Sequence, residues 1–282
     1  MQSNILIVGC GNIGIPLGLQ LAAAGHRVWG LRRTSQLPAP MTTINADVTD
    51  PQSLNMLQGL RFDYVVVTLT PGQFTDEAYQ TVYVNGLANV LAAVEQPQQI
   101  KRWLYVSSTS VYAQSEGEWV DENSPVEPTG FSGKRLLEAE QLLVDGGVAF
   151  SVVRFAGIYG PGRNRVIEQV KAGAGCAQSP PLYTNRIHRN DCVGFLAHLI
   201  SMDQQGLALE NYYIGVDSEP VAMFDVKQWL AQQLGIELPA LSATTENRRS
   251  SKRCSNQRLL STGYQLLYPS YQQGYAEMLS QY

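Results

Sequence analysis

The sequence predicts an α/β fold built on a doubly wound parallel sheet, and three observations carry this prediction. Residues 5–8 form a continuous aliphatic run before a glycine-rich turn, which is typical of a strand buried on both faces. Apolar residues recur at helical spacing directly after the turn. Strand and helix patterns then alternate over residues 9–155, as they do in consecutive βαβ units.

Composition excludes several classes of protein. The chain has 282 residues, 44% hydrophobic and 16% charged, so it has enough apolar material for a large folded core. A net charge of −4 gives no basic surface for nucleic acid. No apolar run approaches membrane-spanning length, and four scattered cysteines lack metal-ligand spacing. We therefore expect a cytoplasmic protein with no metal, membrane or nucleic-acid partner.

The first turn, GCGNIG, has the features of a phosphate-binding loop. Gly9 permits the sharp turn, Gly11 leaves room for a pyrophosphate, and Gly14 lets the following helix pack close to the strand. The helix N-terminus adds unpaired N–H groups and a partial positive charge. The motif therefore predicts a dinucleotide site that also includes Asn12 and Ile13, although a glycine-rich turn without a ligand is the alternative.

The second predicted strand, 27–31, indicates the type of dinucleotide. It is followed by Arg32 and Arg33. An acidic residue near this point would bind the ribose 2′-hydroxyl of NAD, whereas two arginines suit a 2′-phosphate. The sequence therefore favours NADP over NAD as cofactor. The alternative is that the two arginines are ordinary solvated charges.

The third predicted strand, 42–46, ends at two further candidate cofactor residues. Asp47 and Val48 follow it directly. The Asp47 carboxylate can accept a hydrogen bond from the adenine amino group. Asp50 and Pro51 then have the pattern of a helix cap with proline at the first helical position.

The middle of the chain continues the alternation. A strand is predicted over 64–69, a helix over 75–94, and a further strand over 103–106. This last strand leads into the hydroxyl-rich run SSTSVY, 107–112. Ligands of parallel sheets lie beyond the carboxyl ends of the strands, so this run is expected to face the cofactor.

The later elements are predicted from periodicity and end signals. A strand is expected over 150–155, and an amphipathic helix over 225–234 that stops at Gly235. Another helix is expected to be capped by Asn190 or Asp191.

Several motifs in this order resemble the extended short-chain dehydrogenase/reductases of the NAD-dependent epimerase/dehydratase family. The motifs that carry the resemblance are GCGNIG, Asp47-Val48, Tyr83 to Gly86, SSTSVY, Lys134, Arg154 to Gly162, Ile187 to Asp191, and Tyr212 to Gly215. The chain is most similar to small atypical members that carry GxGxxG. We expect a Rossmann NAD(P)-binding domain over 1–158 and about 187–217. A smaller, interleaved C-terminal substrate lobe is expected over about 159–186 and 218–282, including the loop-rich stretch 238–249.

The resemblance also implies catalytic residues and exposes one departure. Family chemistry uses a tyrosine four residues before a lysine, with a serine or threonine that holds the substrate oxygen. Ser108 matches the hydroxyl and Lys134 the lysine, but the tyrosine position is Gly130. Lys134 then binds the nicotinamide ribose, or is simply a surface residue. Tyr112 is the first candidate to replace the missing phenol and Tyr159 the second, unless both serve only in packing.

Two arginines are candidate substrate contacts, and the family resemblance bears on the oligomeric state. Arg163 and Arg186 are candidates to bind an anionic group of a small-molecule substrate, although surface arginines without a partner are common. His188 is expected to be a structural histidine. The family often pairs through helices that correspond here to 75–94 and 130–144, so both a monomer and a homodimer are open.

The sequence is compatible with two functions. The first is an NADP(H)-dependent oxidoreductase or epimerase that acts on a carbonyl or hydroxyl group of a nucleotide-sugar-like substrate. The second is a catalytically impaired NADP(H)-binding sensor or regulatory protein, because Gly130 offers no phenol.

Overall fold

A computed structural model of the protein describes residues 1–239 and 251–280. Nearly all of the loop expected over 238–249 lies outside the described residues. The strands are β1 (Asn4–Val8), β2 (Arg27–Arg32), β3 (Thr42–Asn45), β4 (Tyr64–Val67), β5 (Arg102–Ser108), β6 (Glu118–Val120), β7 (Phe150–Phe155), β8 (Gly157–Tyr159), β9 (Tyr183–Thr184), β10 (Arg186–His188), β11 (Tyr212–Gly215), β12 (Val221–Ala222) and β13 (Lys252–Cys254). The α-helices are α1 (Gly14–Ala23), α2 (Asp76–Tyr79), α3 (Gly86–Ala93), α4 (Phe131–Asp145), α5 (Arg165–Lys171), α6 (Arg189–Gln204), α7 (Met223–Leu234), α8 (Gln257–Ser261) and α9 (Tyr271–Leu279).

Seven strands form the central sheet, in the order β11-β7-β5-β4-β1-β2-β3. The pairs β1–β2, β1–β4, β2–β3 and β4–β5 are parallel. Ile5 to Val8 are all 0% exposed, as expected for a central strand that is covered on both faces. The strand order reverses beside β1, which is the switch point where such sheets bind ligands. The predicted Rossmann-like α/β fold is thus confirmed.

Two predicted helices differ from the observed ones. The segment 75–94 is helical, but a π-helical turn, Gln80–Asn85, separates α2 from α3. Periodicity averages over a segment and cannot locate one wider turn within it. After Asp50 the chain forms a short 3₁₀-helix, Ser53–Leu57, instead of an α-helix. The Asp50 carboxylate accepts a hydrogen bond from the Gln52 N–H at 3.0 Å, so it caps the turn before that helix.

Two later predictions agree with the structure, the strand over 150–155 and the end of the helix at 234, although that helix begins at Met223 and not at 225. The strand over 150–155 is β7. Helix α7 ends at Leu234, and Gly235 follows in the left-handed conformation, with φ of 66°. Glycine adopts this conformation without steric cost, which explains why it marks the end of the helix.

The chain divides into two compact units. The first comprises Met1–Val111, Pro128–Arg154 and Val193–Tyr213, and contains most of the central sheet. The second comprises Tyr112–Glu127, Phe155–Cys192 and the chain from Ile214 onward.

Within the first unit, a buried ionic network attaches α4 to the sheet. The Arg154 guanidinium on β7 donates two hydrogen bonds to the Glu140 carboxylate of α4, at 3.1 and 2.6 Å. Ser107 on β5 donates a third from its hydroxyl, at 2.6 Å. Because all three residues are buried, the paired charges and the hydroxyl compensate for the loss of hydration on folding. The network therefore fixes α4 relative to the ends of β5 and β7.

Within the second unit, Asp191 has a different role from the expected helix cap. The residue is 0% exposed and lies in the first turn of α6. Its carboxylate accepts hydrogen bonds from the Leu267 N–H at 2.7 Å, the Tyr268 N–H at 3.0 Å and the Tyr264 hydroxyl at 3.1 Å. Asp191 therefore fixes the segment that leads to α9. A local capping pattern could not reveal acceptors used by residues so distant in sequence.

Asp217, also in the second unit, is a buried acid that forms no ion pair with the residues that the structure describes. It is 1% exposed, and its Oδ1 accepts a hydrogen bond from the Glu219 N–H at 3.1 Å. Its Oδ2 has no hydrogen-bond partner in the part of the chain that the structure describes. Burial raises the pKa of Asp217 to about 7, partly offset by the charge of Arg186.

This elevated pKa predicts a pH dependence of stability. In the unfolded chain Asp217 titrates near 3.8, so between about pH 4 and 7 the folded state retains a proton that the unfolded state has lost. The free energy of unfolding should therefore fall as the pH rises through this window and then level off. In Asp217→Asn, whose amide does not titrate, this contribution should be absent. Urea denaturation of both proteins from pH 4 to 8 measures the difference, and parallel curves would contradict the assignment.

Candidate functional site

A cavity of about 270 Å³ lies in the first unit at the carboxyl ends of β1, β2 and β4. Its wall is formed by the glycine turn, by the end of β2, and by residues 46–49 and 68–70. Carboxyl ends of parallel strands at a switch point are where α/β sheets bind ligands. The cavity is thus the candidate cofactor site.

The three glycines of the first turn have distinct environments. Gly9 has φ of +94°, and a Cβ there would lie 2.9 Å from the carbonyl carbon of Thr68. A Cβ at Gly14 would lie 2.6 Å from the Gly9 carbonyl oxygen. Around Gly11 no atom lies within 4 Å of the Cβ position, so its backbone faces open space. The turn is tight on the protein side and open on the cavity side, which suits a pyrophosphate.

The neighbouring positions complete the turn. Ile13 is 7% exposed and directs its side chain into the core, and its backbone precedes α1. Asn12 is half-buried. The Thr68 hydroxyl donates a hydrogen bond to the Gly9 carbonyl at 2.5 Å and thereby ties β4 to the turn. No motif in the sequence pointed to Thr68, because its role depends on strand pairing.

Arg32 and Arg33 lie together at one end of the cavity. Arg32 is the last residue of β2, and Arg33 is exposed. Within the described residues, neither side chain forms a hydrogen bond or an ion pair. Two cations beside an open cavity provide the donors that a phosphate would require.

Asp47 and Val48 line the same cavity. The Asp47 Oδ1 accepts hydrogen bonds from the N–H and the hydroxyl of Thr49, at 2.9 and 2.8 Å. This Asx turn holds the carboxylate in a fixed orientation. Val48 is 6% exposed and supplies an apolar wall. An adenine ring could therefore find both an acceptor and an apolar contact here.

The predicted catalytic serine and lysine lie on adjoining elements of the first unit. Ser108 ends β5, and its Oγ accepts a hydrogen bond from the Ser110 N–H at 3.1 Å. A Cβ at Gly133 would lie 2.4 Å from the Ser110 carbonyl oxygen, so glycine lets the first turn of α4 pack directly on this segment. Lys134, the next residue, is exposed. Gly133 is a site residue that the sequence motifs did not identify.

Gly130, the residue in the tyrosine position, immediately precedes α4. It is the N-cap, with φ of −86° and ψ of 152°. The nearest atom to its Cβ position, the Ser132 Oγ, is 4.0 Å away. The position is therefore open, but no phenol or other acid occupies it.

The two alternative tyrosines belong to the second unit and are buried. Tyr112 is 2% exposed, and its carbonyl accepts a hydrogen bond from the Lys252 Nζ at 2.8 Å. Tyr159 is 4% exposed and packs against Tyr275, with ring centroids 4.5 Å apart. Burial raises the pKa of the Tyr159 phenol far above its ordinary value, which disfavours a phenolate base there.

The candidate substrate residues also differ in exposure. Arg163 is exposed, and its N–H donates to the Gly160 carbonyl at 2.8 Å. Arg186 is 5% exposed, donates to the Thr184 hydroxyl, and lies over the Tyr271 ring at 5.4 Å. Direct contact between substrate and Arg186 would therefore require its surroundings to open. The substrate roles of both arginines stay predictions.

His188 is buried at 0% exposure, and its Nδ1 accepts a hydrogen bond from the Asn190 N–H at 3.3 Å. Burial lowers the pKa of His188 to about 4, so the imidazole is neutral at physiological pH. Across residues 1–239 and 251–280 no group of three or more His, Cys, Asp or Glu side chains could hold a metal ion. The same ranges contain no helix with the length and apolar character needed to span a bilayer.

Comparison with known proteins places these features in a family. The model of the NAD dependent epimerase/dehydratase family matches residues 5–215. Protein YeeZ of Escherichia coli K12 is 28% identical over 285 aligned positions, which cover 95% of this chain and 97% of YeeZ.

Solved structures agree with this match. A Methylobacillus flagellatus protein, provisionally described as an NAD-dependent epimerase/dehydratase, is 40% identical with a TM-score of 0.85, covering 100% of this chain and 99% of that one. Bordetella bronchiseptica WbmG, solved in complex with NAD and UDP, is 17% identical with a TM-score of 0.80, covering 99% and 94%. The likeness to WbmG concerns the fold alone. The match over residues 5–215 and the 40% identity together show that this chain belongs to the NAD-dependent epimerase/dehydratase family.

Proposed function

We propose that the protein binds NADP(H) and acts as an oxidoreductase or epimerase on a carbonyl or hydroxyl group of a small, nucleotide-sugar-like substrate. The observation that carries this proposal is the cavity that joins the open face of Gly11 to Arg32 and Arg33. A pyrophosphate would lie over the turn, and a 2′-phosphate would lie between the two guanidinium groups. Asp47 and Val48 would hold the adenine.

Family membership supports a nicotinamide dinucleotide as cofactor, and the WbmG complex contains NAD. The preference for NADP over NAD rests on this chain's own arginines, because no carboxylate lies at the end of β2. The substrate class rests on the UDP bound to WbmG, a protein of similar fold. NAD remains the alternative cofactor.

The proposed chemistry uses the two polar groups beside the start of α4. When bound, the nicotinamide supplies hydride transfer. The Ser108 hydroxyl would hold the substrate oxygen, and the Lys134 ammonium would bind the nicotinamide ribose. Because position 130 is glycine, a water molecule, the substrate or Tyr112 must supply the proton. Loss of a positioned acid or base costs roughly 10²- to 10⁴-fold in rate, so we expect slow turnover.

A second function is favoured by the same glycine. The chain keeps the cofactor cavity but has glycine where the family has its catalytic tyrosine. This combination suits a protein that senses NADP(H) and regulates a partner. In that case the bound cofactor would change the conformation or the binding properties of the protein, and no hydride would be transferred.

The cofactor preference is tested by replacing Arg32 and Arg33 with alanine together. Each charge-assisted hydrogen bond contributes about 1.5–3 kcal/mol, so NADPH affinity should fall at least about tenfold while NADH affinity changes little. Fluorescence titration of both cofactors measures this. Arg27→Ala, at the opposite end of the same strand, is the matched control and should affect neither. An equal loss for NADPH and NADH would mean that the arginines do not bind a 2′-phosphate.

The choice between enzyme and sensor is tested by Ser108→Ala. If Ser108 holds the substrate oxygen, hydride transfer should slow by about 10²- to 10³-fold, as for other positioned oxyanion donors. NADPH affinity should stay the same. The assay follows NADPH oxidation with a panel of carbonyl compounds and 4-keto nucleotide sugars.

Ser110, an exposed residue close to Ser108, provides the control for this test. Ser110→Ala should retain the wild-type rate, because only its backbone contacts Ser108. If the wild-type protein binds NADPH but reduces no compound of the panel, the sensor function is favoured over the enzyme.

A further inference from the structure

Arg253 is held in a fixed orientation in the second unit, and no role described above uses it. Its guanidinium carbon lies 5.2 Å from the centroid of the Trp119 ring and 4.8 Å from that of Tyr183. Its Nε donates a hydrogen bond to the Gly117 carbonyl at 2.8 Å. Stacking and this hydrogen bond together restrict rotation of the planar group. The two terminal nitrogens, Nη1 and Nη2, form the remaining donor edge.

The backbone around Arg253 is arranged to keep this geometry. Asn185 holds β13 on both sides of Arg253, because its Nδ2 donates to the Lys252 carbonyl at 2.9 Å and its Oδ1 accepts from the Cys254 N–H at 2.7 Å. Gly117 has φ of +88°, and a Cβ there would lie 3.1 Å from the Tyr183 ring. A larger residue at 117 would therefore be strained and would crowd the stack.

Glu118, which lies on the strand paired with β13, does not form an ion pair with this arginine. Glu118 instead turns toward its own loop, where its Oε2 accepts a hydrogen bond from the Glu116 N–H at 2.8 Å. Hydrogen bonds from the backbone N–H groups of Glu118 itself and of Glu116 hold the pKa of Glu118 below its usual value, so the group stays ionised. Within the described ranges, no Asp or Glu oxygen forms an ion pair with Arg253. Trp119 beside it is 57% exposed.

Among the described residues, no hydrogen bond or ion pair uses Nη1 or Nη2 of Arg253. A half-buried cation with such an oriented donor edge is suited to a ligand. We propose that Arg253 binds an oxyanion of a small-molecule ligand, a phosphate or a carboxylate, through Nη1 and Nη2, with Trp119 forming the adjacent wall within the second unit. The inference does not depend on the proposed function. The proposal leaves the predicted roles of Arg163 and Arg186 unchanged. Arg253 differs from Arg186 because its side chain is partly accessible. The guanidinium fork matches the two oxygens of such a group, which a lysine ammonium does not.

The intrinsic fluorescence of Trp119, which lies beside Arg253, reports ligand binding in this experiment. The full-length protein is titrated with UDP, glucuronate and inorganic phosphate, and the fluorescence is compared with that of Trp119→Phe, which lacks the reporter. UDP and phosphate test a phosphate ligand, and glucuronate tests a carboxylate. We expect a saturable change that depends on Trp119 with at least one of these three probes.

Two variants test Arg253 directly. Arg253→Gln should weaken binding of that probe by about tenfold to hundredfold, the range for a charge-assisted bidentate contact. Arg253→Lys should restore only part of the affinity, because it keeps the charge and loses the fork. Arg165→Gln removes an exposed charge at the start of α5 and should leave the affinity unchanged.

Two results would overturn the proposal. One is the absence of Trp119-dependent binding for all three probes. The other is equal affinity in the wild type and in Arg253→Gln. NADPH affinity, measured on the same proteins, separates this inference from the proposed function. Arg253→Gln should bind NADPH normally, whereas failure of the wild type to bind NADPH would contradict the proposed function and leave a positive result for Arg253 standing.

Discussion

The close approach of main-chain segments at the first turn is the constraint on which the candidate cofactor site depends. At Gly9 the turn contacts the backbone of Thr68, and at Gly14 the first helix contacts the carbonyl of Gly9. Side chains at these positions would separate β1, β4 and α1. Since the backbones meet so closely there, the open face at Gly11 and the ends of β2 and β4 surround one cavity. The candidate cofactor site is thus a consequence of packing that only glycine permits.

Much of the fold could be predicted because it depends on local patterns. The aliphatic run of β1 and the glycine signal after α7 have direct causes in burial and in backbone conformation. Contacts between distant residues could not be predicted in this way. Gly133 allows α4 to pack on the segment after β5, and Asp191 binds three donors more than 70 residues away. Neither role leaves a periodic signal, since each depends on tertiary structure.

The residues of the candidate site could likewise be predicted only in part. Arg32, Asp47 and the glycines lie at or just after the carboxyl ends of strands, so their place beside the cavity follows from the rule that parallel sheets bind ligands at those ends. Arg186 was predicted to bind an anionic group of a substrate, and its burial could not be predicted, because no sequence pattern reports which face of a two-stranded sheet is covered. Arg253 was not singled out from the sequence. Its fixed orientation depends on two aromatic rings that tertiary structure brings beside its guanidinium group.

The central claim is that the first unit binds NADP(H) through the glycine turn and the two arginines. The most direct test is a fluorescence titration of the purified wild-type protein with NADPH and with NADH, after any cofactor carried through purification has been removed and identified. The account predicts saturable binding of both, with NADPH bound at least about tenfold more tightly, the effect of one charge-assisted phosphate contact. Saturable binding with NADH preferred would contradict the role of Arg32 and Arg33. Failure to bind either would contradict the assignment of the cavity as a dinucleotide site.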